Sequence, residues 1–443
     1  MYKVKTPSVA GTFYPENKEE LLSQIADFKK NLKKHYTYTS RAVIVPHAGY
    51  YYSGQLAFEG LNCLDKKVEN IFIFAPAHRV FVEGAALSGF DAWETPLGDV
   101  ELNKEINNEL NEKFGCVFYN EAFKDEHAIE VQLPLLQKTF EYFKIIPVLV
   151  GREKASKITE IISHYWGDEK NAFVISSDLS HFLSSPDAKK VDLTTAQMIE
   201  EVDISSFHPE QACGSVGICG LCDFAGLKGY SLIRVGMLNS GDISGDNSRV
   251  VGYGSWMLYE GEKNKFIKEY FSDFVLDTCR KSIEYDGKYS PENYAPVFDE
   301  LGACFVTLEI GGNLRGCIGS ILAYEPLVDN LVKNAYNSAF SDPRFPPVSK
   351  EEFLKTELKV SILSAPVKMK FKDENDLLSQ IVPFVDGLII KDGRYQAVYL
   401  PSVWEQLPDK EDFLDSLKQK SGLPRDYFSE TFEAFRFGTE YIF

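Results

Sequence analysis

Four stretches dense in Val, Ile, Leu and Phe constrain this chain most: RAVIVPH at 41–47, NIFIFAPAH at 70–78, FKIIPVLVG at 143–151 and AFVISSD at 172–178. Each has strand length and strand composition, and SRVVGYGSWMLYE at 248–260 closes the series. Between them lie segments with apolar residues at three- and four-residue spacing, such as KEELLSQIADFKKNL, SGQLAFEGLNCL and HAIEVQLPLLQKTF. Strands that alternate with helices predict an α/β domain with a central sheet covered on both faces. A chain of 443 residues is too long for one ordinary core, so a second domain is expected.

The pattern changes near residue 260. GEKNKFIKEYFSDFVLDTCRKSIEYDG reads as one charged amphipathic helix with no strand directly after it. ACFVTLEIGGNLRGCIGSIL then predicts a hairpin through Gly311-Gly312-Asn313, and GLIIKDGRYQAVYLP another through Lys391-Asp392-Gly393-Arg394. This half reads as α+β. The polar run Glu260–Asn264 has linker composition, and the expected domains are 1–262 and 263–443.

Three apolar runs deliver a histidine near their ends: His47, His78, and His181 within Ser176-Ser177-Asp178-Leu179-Ser180-His181. In open α/β sheets the functional crevice lies beyond the carboxyl ends of the strands. Convergence there requires that the strands run parallel and adjacent. A fourth histidine, His127, opens a helical pattern beside Asp125, Glu126 and Glu130. His35, His164 and His208 sit in polar or pre-proline settings and are assigned to surface or capping duty. A strand-end histidine can pack, move a proton or hold a metal. Neutral imidazole is the commonest metal ligand and titrates near neutrality. Two histidines with one carboxylate and open positions make the facial triad of non-haem Fe(II) oxygenases. The loop NSGDISGDNS at 239–248 offers Asp242 and Asp246 as carboxylates. As a calcium loop it lacks the spacing and the terminal glutamate of an EF-hand.

Tyr50, Tyr51 and Tyr52 follow His47. On extended backbone Tyr50 and Tyr52 would share one side. They are candidates for substrate contact, with aromatic packing as the competing role. Cys213, in ACGSVGICGLCDF, is a further substrate-contact candidate, while the Cys219-x2-Cys222 pair reads as packing in an apolar helix. The formal charge of −18 disfavours nucleic acid and anionic lipid. No apolar run is long enough for a membrane span and no signal segment is evident, so a cytoplasmic setting is expected.

Six blocks, AGTFYP (10–15), VPHAGYYYSG (45–54), PAHRV (76–80), DEHAIEVQLP (125–134), SSDLSHF (176–182) and NSGDISGDNSRVVGYG (239–254), resemble the Memo family in the family's own order. The Memo fold is similar to that of the LigB-like class III extradiol dioxygenases, which are non-haem iron enzymes. The resemblance implies His47 and His78 as metal ligands, with Asp242 as the carboxylate that completes the set. It places His127, His181 and Asp178 in the same pocket, where they are expected to move protons. Fe(II) is the expected divalent metal, and zinc or copper are the alternatives.

LRGCIGS (314–320), NAYNSAFSDPRFPPVS (334–349), GLII (387–390) and YLPSVWEQLPD (399–409) resemble the AMMECR family. Both families belong, with a radical-SAM protein, to the AmmeMemoRadiSam system, which implies a radical-SAM partner. In the second half, Arg315, Gly316 and Cys317 with Asp342 and Arg344 form the candidate site. The competing readings there are a buried Cys317 packed between close-approach glycines, and a surface Asp342–Arg344 ion pair worth about 0–1 kcal/mol.

Three functions are compatible with these readings. One is a metal-dependent redox enzyme acting on a small-molecule or peptide substrate. Another is a peptide- or protein-binding scaffold that has kept an enzyme fold. The last is a zinc hydrolase or lyase using the same pocket.

Overall fold

The computed structural model describes residues 2–33 and 38–443. His35 lies outside the described residues. The chain folds as two compact units, one ending at Lys263 and also taking in Ala295–Val297, the other comprising Asn264–Tyr294 and Phe298–Phe443.

The first unit is built on a nine-stranded sheet. Its strands are β1 (Ala42–Val45), β2 (Asn70–Pro76), β3 (Ala85–Leu87), β4 (Val117–Phe118), β5 (Lys144–Val150), β6 (Asn171–Ser176), β7 (His181–Leu183), β8 (Ser231–Asn239) and β9 (Val250–Tyr259). The order is β7-β9-β1-β6-β2-β5-β3-β4, with β8 paired to β9. The four apolar runs of the sequence are β1, β6, β2 and β5, adjacent and mutually parallel. Parallel strands covered on both faces need apolar side chains on both, which is why these runs are continuous rather than alternating. All four residues of β1 and all six of β6 are buried.

Helices cover this sheet. Helix α1 (Lys18–Lys30) starts where the Asn17 side chain accepts from the Glu20 amide, and it buries Leu21, Ile25 and Phe28 along one stripe. Helix α2 (Gln55–Asn62) follows β1 and α3 (Ala155–Tyr165) follows β5. Helix α4 (Ser185–Glu200) is capped by Ser184, and α5 (Ser215–Lys228) ends at Gly229 in the left-handed conformation. Cys219 and Cys222 both lie on α5, half-buried and buried respectively.

Parallel alignment sets the carboxyl ends of these strands at one edge. Val45 lies opposite Ser176, and Pro76 opposite Val150. His47, His78, Asp178 and His181 all follow those ends, so the topology delivers them to the same rim.

The second unit holds two four-stranded antiparallel sheets. Strands β10 (Ala303–Ile310), β11 (Asn313–Gly319), β12 (Glu357–Leu363) and β17 (Thr439–Ile442) make one, in the order β11-β10-β12-β17. Strands β13 (Val367–Lys368), β14 (Gly387–Asp392), β15 (Tyr395–Tyr399) and β16 (Glu433–Phe437) make the other, in the order β13-β16-β14-β15. The β10–β11 hairpin turns through Gly311 and Gly312, with φ of +56° and +76°, which a side chain would disfavour. The helical segment that opens this half, Lys263–Glu284, is interrupted at Phe271 (φ −136°, ψ 16°), where one unbroken helix was expected. No described helix of the chain is long and apolar enough to cross a membrane.

Candidate metal centre

Three imidazoles meet at the carboxyl edge of the first unit's sheet. His47 and His78 ring centroids are 5.3 Å apart, His47 and His127 are 5.3 Å apart, and His78 and His127 are 4.9 Å apart. Each offers one nitrogen, and these atoms all lie within 4.8 Å of one another. His47 is buried, and burial followed by the charges of His127 and His78 holds its pKa well below the usual imidazole value. It is therefore neutral near pH 7.

The outer ring nitrogens are fixed by hydrogen bonds. His47 Nδ1 is 2.9 Å from Ser176 Oγ. The one hydroxyl proton of Ser176 goes to the Ala128 carbonyl at 2.6 Å, so toward His47 the serine oxygen accepts and Nδ1 carries the hydrogen. His78 Nδ1 lies 3.0 Å from Glu126 Oε1 and donates to it. In both rings Nδ1 is thereby committed, and Nε2 is the nitrogen that an ion would take. His127 Nδ1 is 3.2 Å from the same Glu126 oxygen but forms no hydrogen bond of good geometry. The Glu126 carboxyl would be raised by burial, yet the adjoining His127 and His78 imidazoles and the His78 amide hold it well below the usual range. Three convergent imidazoles beside a buried carboxylate suit a divalent cation.

Cys213 lies at the same place. Its Sγ is 3.3 Å from His47 Nε2 and accepts from the Asp178 amide at 3.3 Å. Burial pushes the thiol up to about 12, so it is protonated unless a metal displaces the proton. Asp178 Oδ1 accepts from the His47 amide at 2.8 Å, and burial raises its carboxyl to about 6. His181 begins β7 on the edge strand, and burial lowers its pKa. A cleft of about 280 Å³ reaches Cys213, lined by Pro76, Ala77, Phe81, Arg152 and Val216 among others. None of the three histidines lines it.

The expected third ligand, Asp242, is not part of this cluster. Its loop folds into the short helix Ser240–Ser244, with Asn239 and Asp242 as reciprocal caps. One Asp242 oxygen accepts from the Asn239 amide at 2.9 Å, and the other pairs with Lys189 at 2.9 Å. One oxygen is spent on the helix start and the other on Lys189 of α4, and the third imidazole of the cluster is that of His127. Asp246 is exposed and accepts from Ser248.

The tyrosines also differ from expectation. Tyr50–Gly54 is a π-helical turn, not extended backbone, and Tyr50 points into the core. Its hydroxyl donates to the Val131 carbonyl at 2.7 Å, and its ring packs on Tyr14 and Phe28. Tyr52 is partly exposed, at 39%. His164 pairs with Glu109 and is 41% exposed, while His208 caps a short 3-10 turn.

In the second unit the five candidate residues are brought together. Asp342 Oδ2 accepts from the Cys317 amide at 2.8 Å, and Arg344 donates to the Cys317 carbonyl at 3.0 Å. The Asp342 side chain is only 2% exposed and takes two bonds from the Arg344 guanidinium. It is thus a buried tie onto edge strand β11 rather than the expected surface pair. Arg315 pairs with Glu352. Gly316 has no room for a side chain, because a Cβ would sit 2.1 Å from the Ser338 carbonyl oxygen. Cys317 is half-buried and its sulfur accepts from the Thr307 hydroxyl at 3.2 Å.

Sequence reasoning missed Glu126 and Glu130 as structural anions and His127 as the third member of the imidazole cluster. The cue was present: DEHAIE places carboxylates at −1 and +3 of His127 in a stretch too apolar to be a solvated charge run.

Residues 5–257 match the model of the Memo-like protein family, and residues 276–442 match that of AMMECR1. A MEMO1 family protein of Thermoplasma acidophilum is 33% identical over 263 residues, which cover 57% of this chain and 97% of that protein. One of Aquifex aeolicus is 33% identical over 263 residues, with the same coverage. One of Methanocaldococcus jannaschii is 32% identical over 285 residues, 58% of this chain and 99% of that protein. A solved structure of an uncharacterized protein from Pyrococcus horikoshii shares 34% identity and covers 38% of this chain and 89% of its own, with a TM-score of 0.36.

Proposed function

The chain belongs to the Memo-like protein family and carries an AMMECR1 domain behind it, and we propose that its first unit is a metal-dependent oxidoreductase with iron(II) held by His47, His78 and His127. The convergence of three imidazole nitrogens within 4.8 Å carries this reading. When bound, the ion would supply Lewis acidity and, as iron, one-electron redox chemistry at its open positions.

The chain's own residues do the rest. Ser176 and Glu126 orient the ligand rings. Asp178, with its carboxyl near pH 6, can hold or pass a proton beside His47. His181, neutral at physiological pH, is the second proton-carrying group at the rim. Cys213 is the remaining soft donor within reach of His47 Nε2. A small molecule or peptide would enter by the cleft that ends at Cys213. The AMMECR1 domain and a radical-SAM protein are the proposed working partners, in the cytoplasm.

An all-imidazole ligand set with an open position is also that of catalytic zinc in hydrolases and lyases, and the missing carboxylate favours this second reading. Oxygen uptake separates the two. The full chain, stripped and reloaded anaerobically with iron(II), is expected to consume oxygen over a panel of catechols, whereas the zinc form and His127→Ala are not. Ester hydrolysis by the zinc form, with no oxygen uptake by the iron form, would establish the second reading in place of the first.

A further inference from the structure

We propose that the turn Glu126–Ala128 assembles the metal centre as a unit, with Glu126 as the positioning residue for two ligands and the Ala128 carbonyl as the anchor of the third. This rests on the reading that the three histidines hold an ion.

Glu126 is 1% exposed and spends both oxygens on the ligands. Oε2 accepts from the His78 amide at 2.7 Å, and Oε1 from His78 Nδ1 at 3.0 Å. Oε1 also accepts from the His127 amide at 2.9 Å and the Ala128 amide at 3.1 Å. One carboxylate therefore fixes the backbone of both ligands and the ring of His78. Its neighbours in kind are answered differently. Buried Glu130 is paired with Lys5, and buried Glu200 with Arg234. Glu126 is bonded only to imidazole and amide groups, so its charge acts on the ligands.

His47 belongs to another strand, yet it hangs on the same turn. The Ala128 carbonyl takes the Ser176 hydroxyl at 2.6 Å, and Ser176 takes His47 Nδ1 at 2.9 Å. Gln132, one turn further on, locks this link by donating to Ser176 Oγ at 3.2 Å and to the Pro46 carbonyl at 2.8 Å. Residues 126–128 thus fix the rings of His47 and His78 and the backbone of His127. A carboxylate that accepts from Nδ1–H also makes Nε2 a better donor.

The test is Co²⁺ binding by the metal-free full chain, read by chelator competition and by the visible absorption of the bound ion. Glu126→Gln keeps the shape but replaces one acceptor oxygen with an NH₂ group that faces N–H donors. It is expected to weaken Co²⁺ about 10–100-fold and to alter the visible bands at a temperature where the metal-free variant is still folded. Glu126→Asp keeps the charge and shortens the reach, and its affinity should fall between the two. Should Glu126→Gln fail to fold, Glu126→Asp carries the test alone, with roughly a tenfold loss expected. Wild-type affinity and wild-type bands in these variants overturn the proposal while leaving the three-histidine site standing. A wild-type chain whose Co²⁺ binding is indifferent to His47→Ala overturns both.

Discussion

His47→Ala is expected to leave the chain folded and to weaken its divalent metal on the order of 100-fold or more. Four-ligand zinc sites bind with apparent free energies of about 10–16 kcal/mol, or roughly 3 kcal/mol per ligand, and each 1.4 kcal/mol is a factor of ten in affinity. Of the three imidazoles proposed to hold the ion, that of His47 is the one whose loss is hardest to repair. It is 2% exposed at the end of β1, its position set by the Asp178 carboxylate on its amide and by Ser176 on its ring, and water reaches its place with difficulty. Folding should survive, because Ser176 keeps Ala128 and Gln132 as partners after the ring is gone. Metal retained after gel filtration and chelator competition measures the effect. An affinity within a factor of two or three of wild type would remove His47 from the ligand set.

Glu130→Ala is expected to cost the first unit about 3–5 kcal/mol, the usual cost of stranding one member of a buried ion pair. Glu130 is 1% exposed, and its carboxylate takes Lys5 Nζ at 2.9 Å, the Ser8 amide and hydroxyl, the Val9 amide and the Tyr14 hydroxyl. Without it Lys5, itself 4% exposed, has no anion, and residues 5–14 lose the group that gathers them. Phe13 lies in that segment with its ring 4.7 Å from that of His127, so metal affinity should fall alongside stability. Burial alone would raise the Glu130 carboxyl, but the Lys5 charge and these hydrogen bonds outweigh it and hold it below the usual value. A depressed folded-state pKa contributes stability that is present above the unfolded value and lost as pH falls through the folded one. The gap between wild type and Glu130→Ala in denaturant titrations should therefore be widest near pH 7 and close as the pH drops below about 4. A gap under about 1 kcal/mol at pH 7 would contradict this account.

The fold was legible where local chemistry decides it. Continuous Val/Ile runs announced strands buried on both faces, and those strands are β1, β2, β5 and β6. Paired glycines announced the turn at Gly311-Gly312. The site was legible only in part. His47 and His78 follow strand ends, and strand-end position can be read along the chain. The role of His127 depends on a turn after Phe123 that folds back against β1 and β6, a contact no periodicity records. Asp242 misled because a carboxylate in a Gly- and Ser-rich loop looks free. Its proximity to Asn239 in sequence makes it a cap, and Lys189 comes from another helix. Tyr50 misled for a related reason: Phe13, brought in by the segment that Glu130 gathers, accepts the Tyr50 amide at 2.7 Å, and the backbone there coils instead of extending.

Elemental analysis of the full chain, purified anaerobically from iron-replete cells, tests the central claim most directly. The account predicts about one divalent transition metal per chain, with iron foremost, and its disappearance from the variant lacking all three imidazoles, His47→Ala/His78→Ala/His127→Ala. A wild-type chain that carries no metal and takes up none from added Fe²⁺, Zn²⁺ or Co²⁺, or a triple variant that retains the full complement, would contradict it.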